Sequence, residues 1–251
     1  MDFADRIAFV SGGGAGIGRA IAILLAERGG SVCVADYVAA AAQQTVDLIR
    51  AAGGKAIAID GDVADEDAAR TMVDLAVRTY GRLDCAFNNA GITHPQDHVW
   101  DLDAFHRTLD VNLTGVFHCV KAELTHMEAA GRGAIVNTAS LAAIVASVDP
   151  NLPGYTSSKH AVVGLTKTAA LRCARTGIRV NAVLPGVTMT NMVRAVMEQG
   201  PGAKATLEGL TPMGRIAEPH EVAEAALFLA SDRASFITGH SLVVDGGASI
   251  Q

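Results

Sequence analysis

The sequence predicts an α/β fold: a single doubly wound domain, a seven-stranded parallel sheet with helices on both faces. Three features predict it. Seven short runs of β-branched and small apolar residues recur along the 251 residues, without the polar alternation of a half-exposed strand. Strands buried on both faces read this way. Longer stretches rich in Ala, Leu and Glu, with helical spacing, separate the runs and commonly end in glycine. A glycine-rich turn joins the first run to the first helical stretch, which is where such folds approach a ligand.

RIAFVS is the first strand. The preceding residues carry acids and no basic region, so MDFADRIAFV reads as a strand entry and not as a secretory leader. SGGGAGIG follows, with Gly12, Gly16, Ile17 and Gly18 in a G-x-x-x-G-x-G spacing. Glycines there permit a tight turn and let a diphosphate approach backbone N–H groups at the positive end of a helix. The helix GRAIAILLAERGG stops at Gly29. The second strand, SVCVAD, ends at Asp36, 18 residues beyond Gly18. A carboxylate at that distance can accept from both hydroxyls of an adenosine ribose; it could equally cap the helix beginning VAAAAQQTV.

KAIAID is the third strand, expected to close at Asp62 and Val63, where an adenine edge would lie. DEDAARTMVDLAVRTYG is a helix ending at Gly81, and LDCAFN is a strand running into Asn89, Ala90 and Gly91, small enough for close backbone approach. The next helix, DVNLTGVFHCVKAELTHM, contains Asn112, a poor helix former, and stops near Gly131. GAIVNTAS is the fifth strand, with Ser140 at its end. YTSSK opens a long helix that places Tyr155 and Lys159 on one face, and that helix ends by Gly177. GIRVNAVLPG, a helix opened by Pro219 with Glu221, and HSLVVDGG complete the chain. No repeat or linker interrupts residues 1–251, so one domain is expected.

Composition excludes several classes. Net charge is −6 and no basic run occurs, which argues against nucleic acid. No apolar stretch reaches the roughly 18 residues of a membrane span. Cys33, Cys85, Cys119 and Cys173 lie far apart in apolar segments, fitting buried thiols in a reducing cytoplasm and neither a disulfide framework nor a zinc site. His94 and His98 lack a third ligand at suitable spacing, so no metal is expected, and a place along a substrate cleft suits them better. Only 18% of residues are charged, below the roughly 25% of a typical soluble domain, so part of the surface is expected to be covered by other subunits.

Together these motifs resemble the short-chain dehydrogenase/reductase family over essentially the whole chain. SGGGAGIG matches that family's T-G-x-x-x-G-x-G with Ser11 in place of threonine. NNAG at 88–91, Asn112 in DVNLTG, Ser140, Y-x-x-x-K at 155–159, PGVTMT at 185–190 and VVDGG follow in the family's order. The resemblance implies a Rossmann-type fold, NAD as cofactor and hydride transfer with a secondary alcohol or ketone. It implies Tyr155 as the acid/base, Lys159 as the cation that lowers its pKa and holds the nicotinamide ribose, Ser140 on the reacting oxygen, and Asn112 holding a water that relays protons. Pro185, Gly186, Thr188 and Thr190 would meet the carboxamide. Residues 189–213, with Met192, Val193, Val196, Met197, Leu207 and Leu210, would form a substrate lid whose apolar content suits an apolar substrate, although a core-packing helix would show the same apolar residues. NTAS, KHAVVGLT and GRIAEPHE also resemble members that oxidise alicyclic alcohols and cyclic diols. The helices around Asn112 and after Lys159, apolar on more than one face, would pair across subunits of a homotetramer.

Ser140 and Tyr155 are 15 residues apart, a longer connection than the family's usual one, so LAAIVASVDPNLPG is expected to alter the pocket's border. Three alternatives stay open: a non-catalytic NAD-binding regulator, which would lack one of the four catalytic residues; a methyltransferase on a similar sheet, which would not need Tyr155, Lys159 and Asn112 together; and a 3-oxoacyl thioester reductase, which would want basic residues near the ribose.

Overall fold

The computed structural model describes residues 3–146, 152–198, 200 and 202–250. Seven parallel strands form one sheet: β1 (Ile7–Ser11), β2 (Ser31–Asp36), β3 (Lys55–Asp60), β4 (Cys85–Asn88), β5 (Gly133–Thr138), β6 (Ile178–Pro185) and β7 (Ser241–Val244). Their order is β3-β2-β1-β4-β5-β6-β7. Crossovers leave in opposite directions from β1 and β4, so a crevice opens at the carboxyl ends of these two strands.

Side chains of each strand alternate between two cores. Phe9, Cys33, Ala86, Ile135 and Val180 face one side, packing against α3 (Glu66–Tyr80), α5 (Gly115–Ala130) and α6 (Pro153–Cys173). Ala8, Val10, Val32, Val34 and Phe87 face the other, under α1 (Gly16–Glu27), α2 (Ala39–Ala51) and α9 (Pro219–Ala230). With both faces covered, the continuous apolar runs of the sequence are explained. α4 (Leu102–Leu109) packs on α6, while α7 (Asn191–Met197) and α8 (Ala203–Gly209) contain no buried residue.

The helix signals act as expected. Gly81 and Gly131 close α3 and α5 with φ of 83° and 66°, and α9 opens on Pro219 with a capping box between Glu218 and Glu221. All four cysteines are free and buried. Two local expectations are corrected. β3 closes at Asp60, because Gly61 turns the chain and Asp62 and Val63 lie beyond the ladder. The helix containing Asn112 is not a plain α-helix: Asp110–Thr114 form one wide π-type turn that joins α4 to α5 in one helical path.

Candidate active site

A cleft of about 550 Å³ lies at the carboxyl ends of the strands. Every residue singled out above for cofactor or catalysis lines it except Gly18 and Asn112. The cleft runs from Asp36, Tyr37 and Val38 at one end, past Asp62, Val63 and the glycine turn, to Ser140, Tyr155 and Lys159 at the other.

The glycine turn is held from three sides. Asp36 accepts from the N–H of Gly14 through Oδ2 and from that of Val38 through Oδ1, each at 2.9 Å. It therefore ties β2 to the turn and does not cap α2, whose first flanking residue, Val38, has no side-chain cap. Ser11 Oγ accepts from the N–H groups of Asn89 and Ala90 at 3.2 and 3.3 Å, so the hydroxyl that replaces threonine keeps a use. Asn89 Nδ2 reaches the Gly12 carbonyl at 3.1 Å. Gly18 lies under this turn, where a β-carbon would run into the Gly12 carbonyl oxygen. At Gly12, φ is +62° and a β-carbon would sit 2.8 Å from Ala90 Cα. The backbone approach that a diphosphate needs is thus built into the turn.

Arg107, on α4, was not evident from sequence. It donates to Asp62 Oδ2 at 2.8 Å across the cleft wall, a pairing 45 residues apart with no local signature. Burial pushes the Asp62 carboxyl up, but the hydrogen bonds from Arg107 and the Ala64 N–H outweigh it and hold it below its usual value.

At the other end α6 brings Tyr155 and Lys159 together, with Lys159 Nζ 5.6 Å from the Tyr155 ring centroid. Ser140 hydrogen-bonds the Tyr155 side chain. Lys159 is buried and donates to the Thr138 carbonyl at 3.0 Å. Burial drives its pKa down to about 8. Burial also drives the Tyr155 phenol up, with the Ser140 hydrogen bond opposing. In this chain alone, desolvation therefore wins at Tyr155.

Asn112 is fully buried behind the cleft wall. Its Oδ1 accepts from the Ile92 N–H at 2.7 Å, and its Nδ2 donates to the Ile92 carbonyl at 2.9 Å and to Ser158 Oγ at 3.2 Å. A side chain so committed fixes the strand-end backbone beside Lys159. A β-carbon on Gly91 would lie 3.3 Å from both Asn112 Oδ1 and Lys159 Nζ, so the three meet at one point. The wide turn accommodates this, as such turns commonly do at functional sites.

Asp97 was also missed. It is fully buried, and its two oxygens accept from the N–H groups of Gly154 and Tyr155 at 3.0 and 3.1 Å, capping the helix that carries the acid/base. His94 and His98, expected along the cleft, do not line it. His94 Nδ1 accepts from the Gln96 N–H at 3.2 Å, and His98 Nδ1 contacts the Pro95 carbonyl. Among the described residues no three His, Cys, Asp or Glu side chains gather as a metal site. His160 is exposed.

Pro185, Gly186, Thr188 and Thr190 form the floor after β6. Thr188 Oγ1 donates to the Gly186 carbonyl at 3.1 Å, and Gly16 packs against the Thr190 methyl. Met192 and Val193 of α7 complete the wall. Residues 147–151, within the longer Ser140–Tyr155 connection, lie outside the described residues, as do 199 and 201 of the 189–213 segment.

The family profile described as Enoyl-(Acyl carrier protein) reductase matches residues 12–249. Cyclohexanol dehydrogenase of Acinetobacter sp. (strain SE19) is 44% identical over 246 residues, 97% of this chain and 95% of its own. The chain belongs to the short-chain dehydrogenase/reductase family. Cis-4-hydroxycyclohexanecarboxylate dehydrogenase of Sinomonas cyclohexanicum is also 44% identical, over 247 residues, 98% of this chain and 97% of its own. A solved short-chain dehydrogenase/reductase from Mycobacterium marinum superposes with a TM-score of 0.94 at 36% identity, covering 100% of this chain and 98% of that one. The protein is thus an oxidoreductase of CH–OH groups that works with a nicotinamide cofactor.

Proposed function

We propose that the protein transfers hydride between NAD and an apolar, alicyclic secondary alcohol or its ketone. The observation that carries this reading is the convergence of Ser140, Tyr155 and Lys159 at one end of a single cleft whose other end presents Asp36. A non-catalytic regulator would not need the three together. A thioester reductase preferring NADP would want a cation where Tyr37 and Val38 stand.

Gly12, Gly16, Ile17 and Gly18 shape the diphosphate cradle; Asp36 takes the adenosine ribose; Asp62 and Val63 flank the adenine; Asn89, Ala90 and Gly91 bring backbone alongside; and Pro185, Gly186, Thr188 and Thr190 meet the carboxamide. When bound, the nicotinamide accepts or returns the hydride. Ser140 Oγ hydrogen-bonds the reacting oxygen, and Tyr155 takes its proton during oxidation and returns it during reduction. The Lys159 ammonium, 5.6 Å from the ring centroid, favours the phenolate through its positive charge. That partly offsets the desolvation of Tyr155. Asn112 and Asp97 position these groups without touching substrate.

Residues 189–213 act as the substrate lid of a single domain, a role supported by the exposed short helices α7 and α8 and by Met192 and Val193 on the cleft wall. The names of the relatives support the alicyclic substrate. Phe117 on α5 and Leu171 on α6 are 48% and 80% exposed, which favours burial of these helices between subunits of a homotetramer. Light scattering giving a stable monomer at micromolar concentration would refute the assembly. The buried free thiols favour a cytoplasmic address. The functional test is a turnover screen over cyclic, steroid, sugar and acyl alcohols with both cofactors. Cyclic alcohols with NAD should lead; a preference for acyl thioesters with NADP would overturn the reading.

A further inference from the structure

Beneath the cleft, between the sheet and helices α5 and α6, four fully buried polar side chains form a chain that catalysis does not use: Glu123, Asn88, Asn137 and Thr166. Its hydrogen-bond directions can be worked out from one end. The Val162 carbonyl can only accept, so the Thr166 hydroxyl donates to it, at 2.8 Å. Thr166 Oγ1 must then accept from Asn137 Nδ2, at 2.9 Å. That turns Asn137 Oδ1 toward Asn88, whose Nδ2 donates to it at 3.0 Å. The other hydrogen of Asn88 Nδ2 goes to Glu123 Oε2, also at 3.0 Å. Two acceptors remain buried without a partner among the described residues: Asn88 Oδ1 and Glu123 Oε1. They belong to the two groups that this last hydrogen bond already joins.

An ionised Glu123 would leave both of these buried oxygens without a donor, which is costly twice over. One proton on the carboxyl resolves both, because Oε1–H can donate to Asn88 Oδ1 while Nδ2–H continues to serve Oε2. We propose that Glu123 works as a neutral carboxylic acid in a two-point pair with the Asn88 amide, positioning the β4 end under the cofactor. Burial, opposed only by the Asn88 hydrogen bond, moves the Glu123 pKa up to about 8. Other titratable groups on neighbouring elements are not its partners. On α3, Glu66 pairs with Lys121, Asp74 with His126 and Arg70 with Asp67, while Arg78 and Tyr80 make no bond to it. The wide turn brings Asp110, β4 brings Cys85, and β5 brings no ionisable side chain. Cys119, one turn back on α5, has its own thiol pushed up, first by burial and then by Glu123.

The consequence reaches the site because of what the network holds. Asn88 directly precedes Asn89, Ala90 and Gly91, and Asn137 directly precedes Thr138, whose carbonyl carries Lys159. Glu123 is thus a positioning residue: it fixes the Asn88 amide, which ties β4 to β5.

The test compares the full-length parent with Glu123→Gln, whose amide reproduces the neutral pair. The parent should show a protonated-carboxyl stretch in the infrared that shifts in heavy water and is absent from the variant. The unfolded carboxyl ionises near its ordinary 4.5 and the folded one near 8. Between those values the unfolded state binds fewer protons, so the parent's stability should fall relative to the variant as pH rises, then level off. Between pH 7 and 9 the parent's Kd for NAD should weaken by about threefold or more relative to the variant's. Lys159 titrates in both proteins and cancels in that comparison. An absent band, or parallel stability curves, overturns the neutral acid. A band with matching Kd responses overturns the positioning role. This last arm rests on the dinucleotide reading of the cleft, whereas the first two do not; a parent that binds no NAD would refute that reading alone.

Discussion

Replacing Asp36 with alanine probes the choice of cofactor. Two of the roughly four acceptor positions of its carboxylate are already taken by the Gly14 and Val38 N–H groups. Two remain, enough for the two hydroxyls of an adenosine ribose. NADP would bring a phosphate of nearly two negative charges in place of one hydroxyl. At about 5 Å and an effective dielectric near 20, each charge pair costs about 3 kcal/mol, and about 6 together. Physiological salt, with a screening length of about 8 Å, roughly halves this, leaving about 3 kcal/mol or a factor of about 10². Among the described residues no cation is ion-paired with Asp36. Arg19 spends its guanidinium on Thr45, Gln44 and the Gly14 carbonyl, and Arg107 is paired with Asp62. The parent should therefore favour NAD over NADP by about 10² in kcat/KM on one alcohol. Asp36→Ala should lose about 10-fold or more with NAD, because the ribose acceptors go and the turn loosens. Its NADP rate should hold or rise, so the preference shrinks below about 10. Equal use of the two cofactors by the parent, or an unchanged preference in the variant, would refute the assignment.

Two further outcomes follow from the geometry. Asp97→Ala removes the acceptors of the Gly154 and Tyr155 N–H groups, so stability should drop by about 1–2 kcal/mol, read by urea unfolding, with kcat falling more than the affinity for NAD. A variant with parental kcat would show that the cap does not position Tyr155. Lys159→Met removes a buried ammonium whose folded pKa, about 8, lies below its ordinary 10.5. Below about 8 both states of the parent are protonated and the burial cost is full; from there to 10.5 the unfolded state binds more protons, so the parent gains stability with pH. The variant's advantage should be largest below pH 8 and shrink above it, in melting curves collected across that range. An advantage independent of pH would contradict the assigned burial cost.

The sheet was legible because every strand is buried on both faces, and the glycine turn because its spacing reflects close backbone approach. Tyr155 and Lys159 were legible because one helical turn separates them. What escaped depends on contacts distant in sequence. The wide turn at Asp110–Thr114 is stabilised by Asn112 reaching Ile92 and Ser158. The Arg107–Asp62 pair and the Asp97 cap join segments 45 or more residues apart. β3 ends before Asp62 and Val63 because the chain turns at Gly61, between Asp60 and Asp62, with no proline or asparagine to mark the turn. His94 and His98, expected along the cleft in preference to a metal site, instead make local hydrogen bonds within their own loop.

The most direct measurement follows a deuterium label. The cyclic alcohol that turns over fastest would be labelled at its carbinol carbon and incubated with NAD and either the parent or Tyr155→Phe. With the parent, mass spectrometry should find the label in the reduced nicotinamide. With the variant, which keeps the ring and loses only the hydroxyl, NAD should still bind while label transfer slows by about 10² or more. Label lost to water with the parent, or transfer at the parental rate without the Tyr155 hydroxyl, would contradict hydride transfer with Tyr155 as the acid/base.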